Sequence, residues 1–156
     1  MSLDLSRDIE LVGNELLSLF SSDEFIARLT AINSEKNDGV SLTSFVSKEY
    51  GWSEGNEETP AIRVLGLRDE PISDEGQHRS VWFKYAIEVY VSGDDATTLE
   101  KQLNRYARAI NEIMILNYSE DGVWSGTDYA PTLKFKNALY KVCSLQYQIR
   151  VYQSLA

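Results

Sequence analysis

The chain is predicted to adopt an α+β fold: an antiparallel sheet of three to four strands, with an N-terminal helix and a second long helix packed on one face. Three stretches carry that expectation. Val81, Phe83, Tyr85, Ile87, Val89 and Val91 alternate with Trp82, Lys84, Ala86, Glu88 and Tyr90, the two-residue period of a strand. Leu99, Leu103, Tyr106, Ala107, Ile110, Ile113 and Met114 recur at three- and four-residue spacing, which lines one face of a helix. Cys143, Leu145, Tyr147, Ile149 and Val151 alternate with Ser144, Gln146, Gln148 and Arg150, a second strand.

The remaining elements follow in chain order. Ile9, Val12, Leu16, Leu17, Leu19 and Phe20 place a helix over 5–20. Ser21 and Glu24 have the spacing of a capping box and restart a helix carrying Phe25, Ile26, Leu29 and Ile32; one bent helix is the competing description. Gly39, able to take the left-handed conformation, supplies the stop. Residues 40–52 fit either a short strand or a helical turn. The acidic stretch 53–59 reads as a loop, and Pro60 prevents a helix from crossing it. A short strand over 61–65 follows, then a turn-rich connection over 68–77 that makes a hairpin with the strand over 81–91. Eleven residues at ~3.3 Å each span roughly 36 Å, long for a strand. Asp94 and Asp95 precede a second capping-box match, Thr97 with Glu100, and a helix over 97–116. Residues 117–130 read as a loop containing Gly122, Trp124 and Gly126, and 132–136 as a short strand. The whole is expected to form one domain, with a helical region over 1–39, a strand–strand–helix core over 60–116 and C-terminal strands over 131–156.

Composition narrows the function. The 156 residues are 43% hydrophobic and 25% charged, which suits a packed core of ordinary domain size. The formal net charge of −9 argues against a surface that grips phosphate backbones, which needs clustered Lys and Arg. An acidic wall repels phosphates and would let DNA pass without sticking. One cysteine, Cys143, rules out an intramolecular disulfide framework. No basic segment leads into an apolar run at the N-terminus, and no stretch approaches the ~18 uncharged apolar residues of a membrane span, so a soluble chain made inside the cell is expected.

Reactive constellations are sparse. The single histidine, His78, lies in a polar turn and is expected to be solvated, while Cys143 falls on the apolar face of its strand and is expected in the core. One His and one Cys serve zinc poorly. The carboxylate pairs Asp69-Glu70, Asp74-Glu75, Asp94-Asp95 and Glu120-Asp121 match no EF-hand spacing. They read as solvated turns and, for Asp94-Asp95, a helix entry. A glycosidase would need two carboxylates facing across a pocket. No Walker-type or dinucleotide-binding glycine loop is present. No catalytic, cofactor-binding or metal-ligating residue is therefore assigned, and no cofactor is expected.

Surface chemistry is left. Trp82, Ala86 and Tyr90 share the second face of the long strand, and Arg150 and Tyr152 bring further interface-prone side chains on the last one. Trp82, Tyr90, Arg150 and Tyr152 are the candidate oligomer or partner interface. Either a helix of the same chain covers this face, the N-terminal one being the nearest choice, or another copy packs against it.

The order of elements resembles the tail terminator and tail completion proteins of tailed bacteriophages. The likeness rests on the N-terminal helix, the strand opening Pro60-Ala61-Ile62, the acidic turn, the strand from Tyr85 to Val91, the Gly93-Asp94-Asp95 break, the helix from Leu99 to Ile113 and the closing strand from Gln146 to Tyr152. It covers about half of the chain and is one of pattern. The resemblance implies a non-enzymatic structural subunit of the virion tail or neck, assembled in the host cytoplasm. It would form a homohexameric ring that caps the tail tube and joins it to the head–tail connector, with DNA passing through unbound and no membrane involved. A stopper or minor tail component is the neighbouring alternative. A small hydrolase with an acidic site, and a module binding a ligand in an apolar pocket beside Trp52 or Trp124, are the alternatives of other classes.

Overall fold

The computed structural model describes residues 7–53, 58–75 and 78–154, and among these the side chains of all but 73–75, 78 and 154. Three helices and six strands follow in the order α1 (Ile9–Leu19), α2 (Asp23–Lys36), β1 (Ser47–Tyr50), β2 (Ala61–Glu75), β3 (His78–Gly93), α3 (Ala96–Tyr118), β4 (Gly122–Tyr129), β5 (Leu133–Phe135) and β6 (Ala138–Ser154). The fold is α+β. Its sheet is mixed and six-stranded, ordered β1-β2-β3-β6-β4 with β5 also on β6. The expected three to four antiparallel strands understate it: β1 runs parallel to β2, and β4 occupies the expected loop over 117–130.

The helices are punctuated by residues other than the ones the capping-box spacing singled out, although Asp95 bears out the helix entry expected at Asp94-Asp95. Asp8 caps α1, its carboxylate accepting from Leu11 N at 2.8 Å. Ser22, not Ser21, caps α2, accepting from Phe25 N at 3.2 Å, so two helices form in place of one bent helix. Asn37 takes the left-handed conformation (φ 43°) that ends α2, two residues before Gly39. Asp95 caps α3, accepting from Thr97 N at 3.3 Å and the Thr98 hydroxyl at 2.7 Å, in place of the expected Thr97–Glu100 box. Each substitute is a neighbouring short polar side chain, which local spacing ranks equally.

The strands overrun their expected ends. β2 continues through Pro71 to Glu75 because β1 covers only Ala61–Val64, and beyond that β2 is an edge that needs no proline N–H. Two register shifts, between Gly66 and Arg68 and between Pro71 and Ser73, absorb the irregular sequence. β4 escapes detection for a similar reason: the bulge between Trp124 and Gly126, with Gly126 at φ 131°, interrupts its alternation.

β1 is placed by a network around residues 37–46. Asn33 reads Leu42 in both directions, its carbonyl accepting from Leu42 N at 2.7 Å and its amide donating to Leu42 O at 2.9 Å. Arg105 on α3 grips Asp38 bidentately (3.0 and 2.5 Å) and donates to Val40 O at 2.7 Å. Tyr106 donates to Thr43 O at 2.7 Å and stacks on Phe45, with ring centroids 4.8 Å apart. The chain thus reaches β2 already extended, and Val46 N bonds Pro60 O at 2.8 Å as pairing begins.

The core lies between the sheet and the helices. Val81, Phe83, Tyr85, Ile87, Val89 and Val91 of β3 are buried against Leu99, Leu103, Ile110 and Ile113 of α3 and Val12 and Leu16 of α1. Burying each such side chain contributes about 1.5–3 kcal/mol. Tyr50 of β1 lies in a slot between Gly13 on α1 and Gly66 on β2, where a β-carbon at either glycine would collide with the tyrosine side chain.

Two outcomes are expected. Gly13→Ala should destabilise the fold by about 1–3 kcal/mol, and Tyr50→Ala in the same chain should absorb most of that penalty; a denaturation double-mutant cycle measures the coupling. The hydrogen bonds from Arg105 hold the Asp38 carboxyl well below the usual carboxylate range. The pair therefore stabilises fully above the unfolded value of ~3.9 and loses its contribution as pH falls through the lowered folded value. Asp38→Asn should be less stable than the parent at neutral pH, and the gap should close as both are titrated well below pH ~3.9.

Candidate functional site

Register divides the sheet into two faces. On the helix side, Tyr85 donates to Ile9 O of α1 at 2.8 Å, and Tyr147 bonds Asn111 of α3. The face carrying Trp82 is the opposite one, so neither α1 nor α3 covers it, and α2 packs on α3.

Along that opposite face two regions differ. At one end Ala61, Arg63, Leu65 and Ala86 are buried although they face away from α1 and α3. Arg63 is 7% exposed; it pairs with Glu49 at 2.9 Å and donates to Gly51 O at 3.2 Å. Tyr90 belongs to this end, half-buried, its hydroxyl donating to Glu88 at 2.9 Å. Nothing local flags Arg63, because its partners arrive with β1, a strand the periodicity leaves undecided.

The other end is open. Arg150 sits across the ladder from Trp82, its guanidinium 5.9 Å from the Trp82 ring centroid and 5.3 Å from that of Tyr152. Asp121 fixes it from the α3–β4 connection, with its carboxylate 3.2 Å from Nη2 and its carbonyl accepting from Arg150 N at 2.7 Å. Tyr152 is 54% exposed. Three of the four candidate interface residues, Trp82, Arg150 and Tyr152, therefore form one stack. Tyr90 lies eight residues away along β3, roughly 26 Å at strand rise.

The polar groups weighed for chemistry are dispersed. Cys143 is fully buried opposite Val89, and burial pushes its thiol up to about 12. His78 pairs with Ser154 at the far end of the same ladder, so its backbone is in a strand and not a turn; the expected solvation of its side chain lies outside the described residues. Asp69 and Glu70 are in β2 and not in a turn, and Glu70 pairs with Lys84 at 2.8 Å. Asp95 caps α3 and Asp121 holds Arg150. Among the described residues no three His, Cys, Asp or Glu side chains gather as a metal site would need, and no helix is long and apolar enough to cross a membrane.

A groove runs between α3 and the edge strand β4. One section, about 240 Å³, is lined by Met114, Ile115, Tyr118, Gly122, Trp124 and Tyr147. Trp124 separates it from a shallower section reaching Tyr129. Trp52, by contrast, is 76% exposed. No protein-family model matches the chain, and no curated protein matches it.

Burial and protonation together should silence Cys143. At pH 8 its labelling by a thiol reagent in the folded protein should be slower than in denaturant by on the order of a thousandfold or more. Rapid stoichiometric labelling of the native chain would contradict a core position.

Proposed function

We propose that this protein is a structural subunit of a phage tail, a terminator that forms a ring on the end of the tail tube and joins it to the head connector. The observation that carries the reading is the end of the sheet face opposite α1 and α3, where half-buried Trp82 and Arg150 stack with exposed Tyr152. Tryptophan, tyrosine and arginine are the residues most enriched at binding hot spots, because they bury large areas at low entropic cost. A sheet face that presents them without a helix over it suits contact with another protein. The net charge of −9 is compatible with a lumen through which DNA slides.

The order of elements that resembles tail terminators is the second support, and the ring, its sixfold symmetry and its partners come from that resemblance. A stopper or minor tail component would use the same surface. An acidic-site hydrolase gains nothing from carboxylates that do not converge: Glu70 pairs with Lys84, Asp95 caps α3 and Asp121 holds Arg150, each in a different part of the fold. A ligand-binding module would use the groove beside Trp124, and its ligand should protect that tryptophan from quenching.

Purified protein mixed with tail tubes should bind the tube ends as a discrete multimer, seen by mass measurement and by electron microscopy, and should stop further tube growth. Tyr152→Ala should cost the isolated fold within about 1 kcal/mol, the scale of an exposed cation–π contact, yet weaken tube association at least tenfold. A chain that never associates with tubes, or a Tyr152→Ala variant that binds them unchanged, would overturn the reading or its interface respectively.

A further inference from the structure

Charge is distributed unevenly along the chain. All 24 acidic residues precede Tyr129, whereas four of the 15 Lys and Arg follow it, so residues 129–156 carry +4 and residues 1–128 carry −13. Three of those four cations, Lys134, Lys136 and Lys141, lie on the β5–β6 hairpin, and none makes an ion pair among the described residues. The same hairpin exposes Leu133 (65%), Phe135 (62%) and Tyr140 (37%). Phe135 packs edge-on against Tyr140 at 6.5 Å, with the Lys136 ammonium 5.5 Å from its ring centroid. Every residue of β5 is exposed, so this is an apolar, basic knob that the chain itself does not cover.

Its counterpart is the groove between α3 and β4. Ile115 (68%) and Trp124 (52%) form an apolar rim, and exposed Glu120, next in sequence to the lining residue Ser119, lies at its end. The section of the groove beside Ile115, about 240 Å³, has room for one or two large side chains. Knob and groove cannot meet within one molecule. The knob pairs with the start of β6, and Leu133 stands across from Tyr140, on the helix-free face; the groove opens on the helix side, where Gly122 and Trp124 stand across from Ile149 and Tyr147. They lie toward opposite ends of β6, about nine residues or roughly 30 Å apart.

We infer that the β5–β6 hairpin of one copy inserts Phe135 and Leu133 into the α3–β4 groove of a second copy, its lysines facing Glu120. Because the two surfaces are different and lie at opposite ends and faces, the contact is head-to-tail, and repeating it generates a closed ring or a helical filament. The inference rests on the ring reading above and specifies its subunit contact, leaving the Trp82–Arg150–Tyr152 stack free for the tail partner.

The test is disulfide trapping between two singly substituted chains, Phe135→Cys and Ile115→Cys, mixed and oxidised gently, alone and on tail tubes; the buried Cys143 is a silent background. The expected product is the mixed dimer, in at least tenfold excess over either homodimer. Lys134→Glu with Lys136→Glu in the first chain should suppress it, and Glu120→Lys in the second should restore part of the yield. Dominant homodimers, no cross-link in either condition, or cross-linking of Ile115→Cys to the tube protein would each overturn the inference. A multimer that caps tubes without this cross-link leaves the terminator reading standing and removes the interface. The cross-link in a chain that ignores tubes does the reverse.

Discussion

The unbroken pairing of β3 with β6 is the constraint on which the rest of the molecule depends. Every residue of β3, from His78 opposite Ser154 to Gly93 opposite Leu139, has a partner without a register shift. The β2–β3 and β4–β6 ladders both contain shifts. Since side chains alternate with period two, a slip of β6 by one residue against β3 would turn Leu145, Tyr147 and Ile149 outward and draw Gln146, Gln148 and Arg150 into the core. The apolar face on both strands makes that slip prohibitively costly, and Tyr85 and Tyr147 fix the register further through Ile9 O and Asn111. The irregular strands are arranged around this regular pair.

What the sequence discloses is set by how local the determinants are. The β3 face, the α3 stripe and the alternation from Cys143 to Val151 depend on side chains two to four residues apart, and all three appear where periodicity places them. The Trp82 face is also legible, because strand period alone fixes which residues share it. β1 is not. Its position is decided by Arg105 and Tyr106, more than sixty residues away, which hold Asp38, Val40 and Thr43. β4 is hidden by its own bulge at Gly126, and the extension of β2 through Pro71 by a rule about edges that applies only once the neighbouring strand is known. The grouping of Arg150 with Trp82 and Tyr152 needed the ladder register, and the separation of Tyr90 from them needed the length of β3.

The helix-free face therefore has two characters with different origins. Its Tyr90 end is closed around a buried arginine that is charge-paired with Glu49, which ties the parallel edge strand to the sheet. Burying a cation is tolerable only with its partners in place, so this end is committed to holding the fold together. The Trp82 end pairs its cation with Asp121 yet leaves Tyr152 exposed. One strand thus serves as a structural spine at one end and presents an aromatic and cationic surface at the other.

The placement of β6 also shapes how the chain is born. It is the last of the six described strands in chain order, yet it sits inside the sheet between β3 and β4, with residues 94–137 intervening after β3. Until it emerges, the nascent polypeptide holds a long hairpin and a helix whose greasy sides have no complete partner, and β3 and β4 each offer an unpaired edge to any passing strand. Such species are prone to mispair and to stick. Closure of the sheet therefore waits for β6, and mispairing with neighbouring chains is the hazard that this delay creates.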